Sequence, residues 1–433
     1  MRTSRYDAPP DGSWYEATAA ERPATTPLPG DATCDVAVVG AGYTGLSAAL
    51  HLAQRGYAVR VLEAHRVGWG ASGRNGGQVG SGQRRPQSFL EGLVGRDEAR
   101  RLWDLGEAAK ARVKDLIARH AIACDLAPGV MHVAHRPSET TDLHREAAHL
   151  ARHYGYGQLA TFSAAESRHW IDSPGYFGGV LDRGAAHLHP LNYCLGLGRA
   201  AVAAGATLHE DALVTEVRPA GDGMALHVGG ATIRARHMLL AGNGYLDPAV
   251  APDLATKVLP LNNYILATAP LLPAVADRLI AERAAVADTR HVVNYFRLTP
   301  DNRLLFGGGE SYSRRYPADI GGFVRRRMAQ VFPQLATVPV THAWGGTLAI
   351  TVQRLPGFGR LHGGRVLYAH GFSGHGVAIG TLAGQLVAEA IAGTAERFEV
   401  MARLPQPDFP GGTHLRWPIQ VLAMLYFGLK DRL

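Results

Sequence analysis

The sequence predicts an α/β fold in which a parallel dinucleotide-binding sheet is interleaved with a second, α+β domain. Three observations lead there. Near the N-terminus the apolar run Val36-Ala-Val-Val39 meets Gly40, Gly42 and Gly45 at GxGxxG spacing, and a second run, Val59-Arg-Val-Leu62, ends in Glu63. Near the C-terminus a strand-like Val366–His370 enters the turn Gly371-Phe-Ser-Gly-His-Gly376, followed by a helical pattern to Ala392. Between these ends, helical and strand-like pieces alternate without an internal repeat.

The first 30 residues hold Pro9, Pro10, Pro23, Pro27 and Pro29 and read as an extended arm, with Trp14 and Tyr15 as anchors. The βαβ unit follows. A strand, a glycine-rich turn, a helix and a second strand ending in an acid match the dinucleotide fingerprint in register. In such a unit Gly40 permits the tight turn, Gly42 lets the backbone approach a diphosphate at a positive helix end, and Gly45 lets the helix approach the sheet. Glu63 accepts from a ribose hydroxyl, with Ala64 beside it.

The stretch after Glu63 narrows the choice of dinucleotide. Arg66-Val-Gly-Trp-Gly-Ala-Ser72-Gly73-Arg-Asn75-Gly76-Gly-Gln78 is too rich in glycine for ordinary surface and suits a loop wrapped around a flat ring. A nicotinamide cofactor must come and go, whereas a resident flavin needs its ring fenced in. Gly196-Leu-Gly198 is no second fingerprint, because it lies in a helical pattern and lacks the third glycine. Reducing equivalents should therefore come from an organic substrate and leave to dioxygen or another acceptor, not to an obligatory NAD(P)H.

Residues from about 97 to 122 read as a helix, and a mixed region runs to Phe177. A helix from His189 to Ala204 leads into strands at Thr207-Leu-His209 and Leu213–Val217. His237–Ala241 reads as a strand re-entering the nucleotide-binding sheet. Val258–Ala267, His291–Leu298 and Arg303–Gly308 read as strands of a substrate-side sheet, and Trp344-Gly-Gly346-Thr leads back to the first domain. The expected organisation is an arm over 1–30, a nucleotide domain over 31–90, 185–250 and 343–400, a substrate domain over 91–184 and 251–342, and a tail over 401–433.

In the last strand–turn–helix unit, apolar residues at 379, 382, 383, 386, 387, 390 and 391 give one helical face, and Gly393 is a plausible stop. The positive end of that helix would face whatever the turn touches. His375 either adds a hydrogen bond there or packs in the tight loop.

Composition excludes other classes. With 44 Lys and Arg against 37 Asp and Glu, the chain carries a formal charge of +7, but the basic residues are scattered. The longest run, Arg325-Arg-Arg327, flanks an apolar helical face at 320, 323, 324, 328 and 331, so it reads as a solvated face and not a nucleic-acid patch. Cys34, Cys124 and Cys194 follow no metal or disulfide spacing, so no metal is expected and a reducing, cytoplasmic compartment fits. No stretch approaches the roughly 20 apolar residues of a membrane span.

Together, CDVAVVGAGYTGLSAAL, RVGWGASGRNGGQ, HPLNY, RLLFGGG, FPQL, RLPGFGRL, GFSGHG, the FPGG at Phe409–Gly412 and the tail Tyr426–Leu433 resemble the gamma-glutamylputrescine oxidoreductase family. That family is a branch of the FAD-dependent D-amino-acid oxidase superfamily. The resemblance implies the D-amino-acid oxidase-like fold, with a Rossmann-like FAD-binding domain interleaved with an α+β substrate domain. It implies non-covalent FAD held by Gly40, Ala41, Gly42, Thr44, Gly45, Glu63, Ala64 and Arg66, with Val214 and Gly242 on the adenosine side. The ring would meet Ser72, Gly73, Asn75, Gly76, Gln78, Gly346 and the turn Ser373, Gly374, His375, Gly376 and Val377.

The activity implied is oxidation of a primary amine, gamma-glutamylputrescine, by hydride transfer to the flavin, giving aldehyde, ammonia and hydrogen peroxide. His375 is the candidate catalytic residue, and Tyr264, Asn294, Tyr295 and Arg297 are candidates for substrate binding, each with a structural role in the sheet as its alternative. Sarcosine oxidases carry an oxygen-activating lysine, a carboxylate-binding lysine and a flavin-linked cysteine; the matching positions here are Leu305, Ala378 and about Leu348. Two other readings stay open. One is an FAD-dependent oxidase or dehydrogenase of D- or N-alkyl amino acids, with Arg74 or Arg297 gripping the carboxylate. The other is a non-catalytic flavin-binding partner.

Overall fold

A computed structural model describes residues 12–310, 316–413, 415–419 and 421–422. Among these residues the strands form two sheets, of eight and nine strands. Ala32–Val39 sits inside the first, parallel to Val59–Leu62 on one side and to Ala231–Leu240 on the other. Val366–His370 and Thr207–His209 extend the parallel array outward. Val36, Ala37 and Val38 are fully buried, as a continuous apolar run requires when both faces of a parallel sheet are covered.

Helices Tyr43–Ala53, Pro190–Ala203 and Gly376–Ile391 share one core. The first and last are in backbone contact: a Cβ on Gly384 would stand 2.4 Å from the Thr44 carbonyl oxygen. His189 caps the middle helix, its Nδ1 accepting the Asn192 N–H at 3.1 Å. A separate core holds the antiparallel hairpin Val214–Ala220 and Gly223–Val228 against the sheet.

The second sheet runs in the order Val340–Ile350, Leu259–Thr268, Leu304–Glu310, Tyr295–Leu298, Ala285–Asp288, Ala127–Val133, Gly179–His187 and Gln78–Val79. Helix Ile320–Val331 packs on it through Ile320, Val324, Met328 and Val331, the face that the sequence pattern marks out, with Phe323 partly buried beside them. Two segments expected in the first domain pair here instead. Val340–Ile350, with Trp344 and Gly346, ladders along the whole of Leu259–Thr268, and Gln78–Val79 pairs with Ala186 and His187.

The N-terminal segment is not wholly extended. Trp14–Ala17 forms one helical turn capped by Ser13 Oγ, and both anchoring aromatics are buried. The tail motif Tyr426–Leu433 lies outside the described residues. Among the described residues no helix is long and apolar enough to cross a membrane, and no group of His, Cys, Asp and Glu could hold a metal ion.

Candidate active site

A cavity of about 830 Å³ opens beyond the carboxyl ends of the parallel strands, where ligands of doubly wound sheets bind. The residues that follow four of those strands line it: Gly40 and Ala41, Glu63 and Ala64, Gly242, and the Phe372–Val377 turn. Strands of the second sheet close the other side through Asn263, Tyr295 and Gly346.

The fingerprint is tightly built. Gly40 has φ 105°, and a Cβ there would press on the Ala241 carbonyl at 3.1 Å. A Cβ on Gly42 would stand 2.7 Å from Ser72 Oγ, the atom that accepts the Tyr43 N–H. Gly45 does not line the cavity. Its Cβ would lie 1.9 Å from the Gly40 carbonyl oxygen, so it sets the turn rather than touching a ligand. Glu63 Oε2 accepts the Ala41 N–H at 2.7 Å and Oε1 the His65 N–H at 3.0 Å; burial pushes its carboxyl up, and these donors oppose the shift. Thr44 and Val214 also line this end, whereas Arg66 is exposed outside it.

The glycine-rich loop is a cross-linked body, not a flexible segment. The Asn75 amide donates to Ala71 O, Ser72 O and Tyr43 Oη at 3.0–3.2 Å, and its Oδ1 accepts the Gly77 N–H. From outside, Tyr15 Oη donates to Asn75 O, Arg297 Nε to Gly76 O, and Trp344 Nε1 to Arg74 O. Ser72, Asn75, Gly76 and Gln78 therefore face the cavity from a fixed backbone, with Gln78 Nε2 tied to Val286 O. Gly73 is not in the lining, because it packs on the Gly68 carbonyl.

The 371–377 turn is equally tied down. Gly371 N–H donates to Asn243 Oδ1, and Ser373 N–H to Ala349 O. His375 caps the Gly376–Ile391 helix, whose free N–H end opens on the cavity. Burial, with Arg84 and His132 nearby, pushes the His375 imidazole down to about 4. It is neutral at pH 7, and its buried Nε2 has no hydrogen-bond partner among the described residues. It can therefore hold or accept a hydrogen bond but cannot serve as a counter-ion.

Of the four substrate-side candidates, only Tyr295 lines the cavity; its hydroxyl donates to Asn263 Oδ1 at 2.5 Å. Strand parity explains Tyr264 and Asn294, whereas Arg297 shares the face of Tyr295 and lies farther along the strand. In Leu259–Thr268, Leu261 and Asn263 face the cavity, so Tyr264 points the other way, into the core against Tyr316 and Phe323. Asn294 is buried, its amide and N–H holding the Asp288 carboxylate. Arg297 braces the loop from behind through Gly76 O and Tyr15 Oη. These three placements correct the expected substrate contacts.

Sequence reasoning missed His132, Tyr245, Asn263 and His291, along with Arg84, Arg85 and Arg354, all in the lining. The Arg84-Arg85 doublet was a visible signal; the strand faces of His132 and Asn263 were not. Leu348 lines the cavity, whereas Leu305 and Ala378 are buried in the core outside it, and among the described residues no lysine or cysteine is in the lining.

The donor set fits a flavin dinucleotide. Two helix N-termini without side-chain caps of their own open on one cavity, a buried acid stands after the second strand, and a cross-linked backbone loop lines the side. The family profile described as FAD dependent oxidoreductase (DAO) matches residues 35–390. The probable oxidoreductase OrdL of Rhizobium meliloti is 39% identical over 423 residues, 98% of both chains. The gamma-glutamylputrescine oxidoreductase of Escherichia coli is 39% identical over 421 residues, 97% of this chain and 98% of that one. Among solved structures, glycine oxidase from Geobacillus kaustophilus superposes with a TM-score of 0.73 at 22% identity, covering 87% of this chain and all of that one, which supports the same fold. The sequence match and the architecture agree: the chain belongs to the FAD dependent oxidoreductase family and is an FAD-dependent oxidoreductase.

Proposed function

We propose that this protein oxidises the primary amine of gamma-glutamylputrescine to the aldehyde, releasing ammonia, and that dioxygen is reduced to hydrogen peroxide when it serves as acceptor. The substrate is argued from the full-length similarity to the Escherichia coli enzyme of that name. The geometric observation that carries the reading is the single cavity joining the nucleotide fingerprint to the Tyr295–Asn263 face of the second sheet.

The flavin, when bound, takes up the two electrons and passes them on. The protein's own part is to bind, orient and desolvate. A primary amine of pKa roughly 10.4 is about one part in a thousand neutral at pH 7, and only that form has a lone pair to assist loss of hydride from the adjacent carbon. A cavity lined largely by apolar groups and neutral polar ones lowers that pKa. Neutral His375 and the Tyr295–Asn263 pair can orient the amine without competing for its charge. Gly42, Thr44, Ala41 and Glu63 would hold the diphosphate and ribose; the 72–78 loop and the 373–377 turn would hold the ring, without a covalent link.

Of the two cations proposed for the amino-acid alternative, Arg297 lies outside the lining, and Arg74 lines the cavity but donates to the Trp69 and Gly345 carbonyls. Anaerobic mixing with candidate substrates tests the reading through bleaching of the flavin absorbance. Gamma-glutamylputrescine should bleach it rapidly and free putrescine far more slowly. Rapid bleaching by sarcosine or a D-amino acid, with none by gamma-glutamylputrescine, would overturn it.

A further inference from the structure

Four arginines line the cavity; Arg74 is held by the Trp69 and Gly345 carbonyls, and Arg84, Arg85 and Arg354 form no ion pair among the described residues. The acids of the lining are engaged elsewhere. Glu63 holds two backbone N–H groups, Asp247 takes the Ala249 N–H, and Asp288 pairs with Arg290.

The three charges lie close enough to act on one another, and Arg84 is anchored at Ser373. Arg84 Nε donates to the Ser373 carbonyl at 3.1 Å. Ser373 Oγ accepts the Thr351 N–H, and Thr351 O accepts the N–H of Arg354, whose backbone lies at φ 58°. That left-handed conformation favours glycine, yet the chain places a long cationic side chain there. Arg85 lies flat over Phe89, 3.9 Å from the ring centre, and its buried Nε has no partner. Burial and the two neighbouring cations push Arg84 down to about 10, so it stays charged at neutral pH while its neighbours repel it. Like charges gathered where the acids of the cavity are engaged elsewhere favour a bound anion, and forked donors match a carboxylate.

We propose that Arg84, Arg85 and Arg354 form a subsite for the carboxylate of the substrate's non-reacting end, the α-carboxylate of a γ-glutamyl amide. The inference rests on the amine-oxidation reading for that choice of substrate. It assigns the specificity for a glutamylated over a free amine to these three side chains. The flavin diphosphate would not need them, since the uncapped helix start at Gly42–Tyr43 offers it N–H donors.

The test uses the FAD-loaded protein and γ-glutamyl-n-butylamide, which keeps the head but has no amine to oxidise. Calorimetric titration should show Arg354→Gln binding it about tenfold to a hundredfold more weakly, the scale of one hydrogen bond between charged partners. Arg354→Lys should recover part of the loss, and the ratio of flavin to protein absorbance should stay unchanged. The half-saturating concentration of gamma-glutamylputrescine should rise by the same factor, while that of N-acetylputrescine, which has no carboxylate, should not move. Arg85→Gln serves as the second variant should Arg354→Gln lose FAD. Equal affinity for the amide in wild type and in a variant with full flavin content overturns the subsite. Should gamma-glutamylputrescine fail to bleach the wild-type flavin while the amide still binds through Arg354, the subsite stands and the amine reading falls.

Discussion

Replacing Glu63 with glutamine isolates the link between the fingerprint and the cofactor. In the structure one carboxylate serves two backbone donors, Ala41 N–H at 2.7 Å and His65 N–H at 3.0 Å, and its remaining lone pairs are open to a ribose hydroxyl. Glutamine keeps one acceptor oxygen and turns an amide NH₂ toward the other donor. One bond to a charged acceptor, worth about 1.5–3 kcal/mol, is lost, and the other is weakened to a neutral bond of about 1 kcal/mol. Part of that loss falls on the free protein, because the carboxylate already braces the turn before any ligand binds. The part that appears in FAD affinity should be about 1–2 kcal/mol, roughly fivefold to thirtyfold in Kd. Titrating the flavin-free protein with FAD, following quenching of flavin fluorescence, measures it, and a melting curve without FAD reports the loss in the free state. An unchanged Kd for Glu63→Gln would show that Glu63 neither braces the diphosphate turn nor meets the ribose.

Four further outcomes are expected. Gly45→Ala places a Cβ 1.9 Å from the Gly40 carbonyl oxygen, a backbone atom with no room to yield, so it should cost at least about 1–3 kcal/mol and purify depleted in FAD; a wild-type melting temperature with full flavin would refute this packing. Asn75→Ala removes the amide that ties Ala71, Ser72 and Gly77 together, and should speed proteolytic cleavage within 72–78 and FAD release; unchanged rates would mean the loop is held from outside alone. His189 is pushed down to about 3 by burial, from an ordinary value near 6.5, and its Nδ1 must be unprotonated to cap Asn192. Its contribution is therefore complete above pH 6.5 and is lost as pH falls toward 3, by about 1.4 kcal/mol per pH unit. His189→Asn, which keeps an N-cap, should remove one proton's worth of that slope from melting curves between pH 7.5 and 4.5; an identical slope refutes the assignment. Finally, no cysteine lines the cavity, and the Asn75 amide beside it is internally bonded. Acid precipitation should leave the yellow colour in solution, and a yellow pellet would establish a covalent link.

What the sequence determined by itself was local. The fingerprint, its acid, the ring-facing loop and the last strand–turn–helix unit lie within short stretches whose backbone needs are written in their glycines and apolar runs. The helix face at Ile320, Val324, Met328 and Val331 was legible for the same reason, since 3.6-residue periodicity names a buried face without reference to a partner. Tertiary structure decided which face of each substrate-side strand meets the cavity. A strand alternates between two faces, and in Leu259–Thr268 both are buried, one under helix Ile320–Val331 and one toward the ligand, so hydrophobicity could not choose between Asn263 and Tyr264. It also decided that Tyr15 and Arg297 support the 72–78 loop from behind rather than touch a substrate, and that Val340–Ile350 completes the second sheet. The arginine subsite is the extreme case. The Arg84-Arg85 doublet was visible, but Arg354 lies far away in the chain; only the fold brings it beside them in one cavity with no ion pair to any of the three among the described residues.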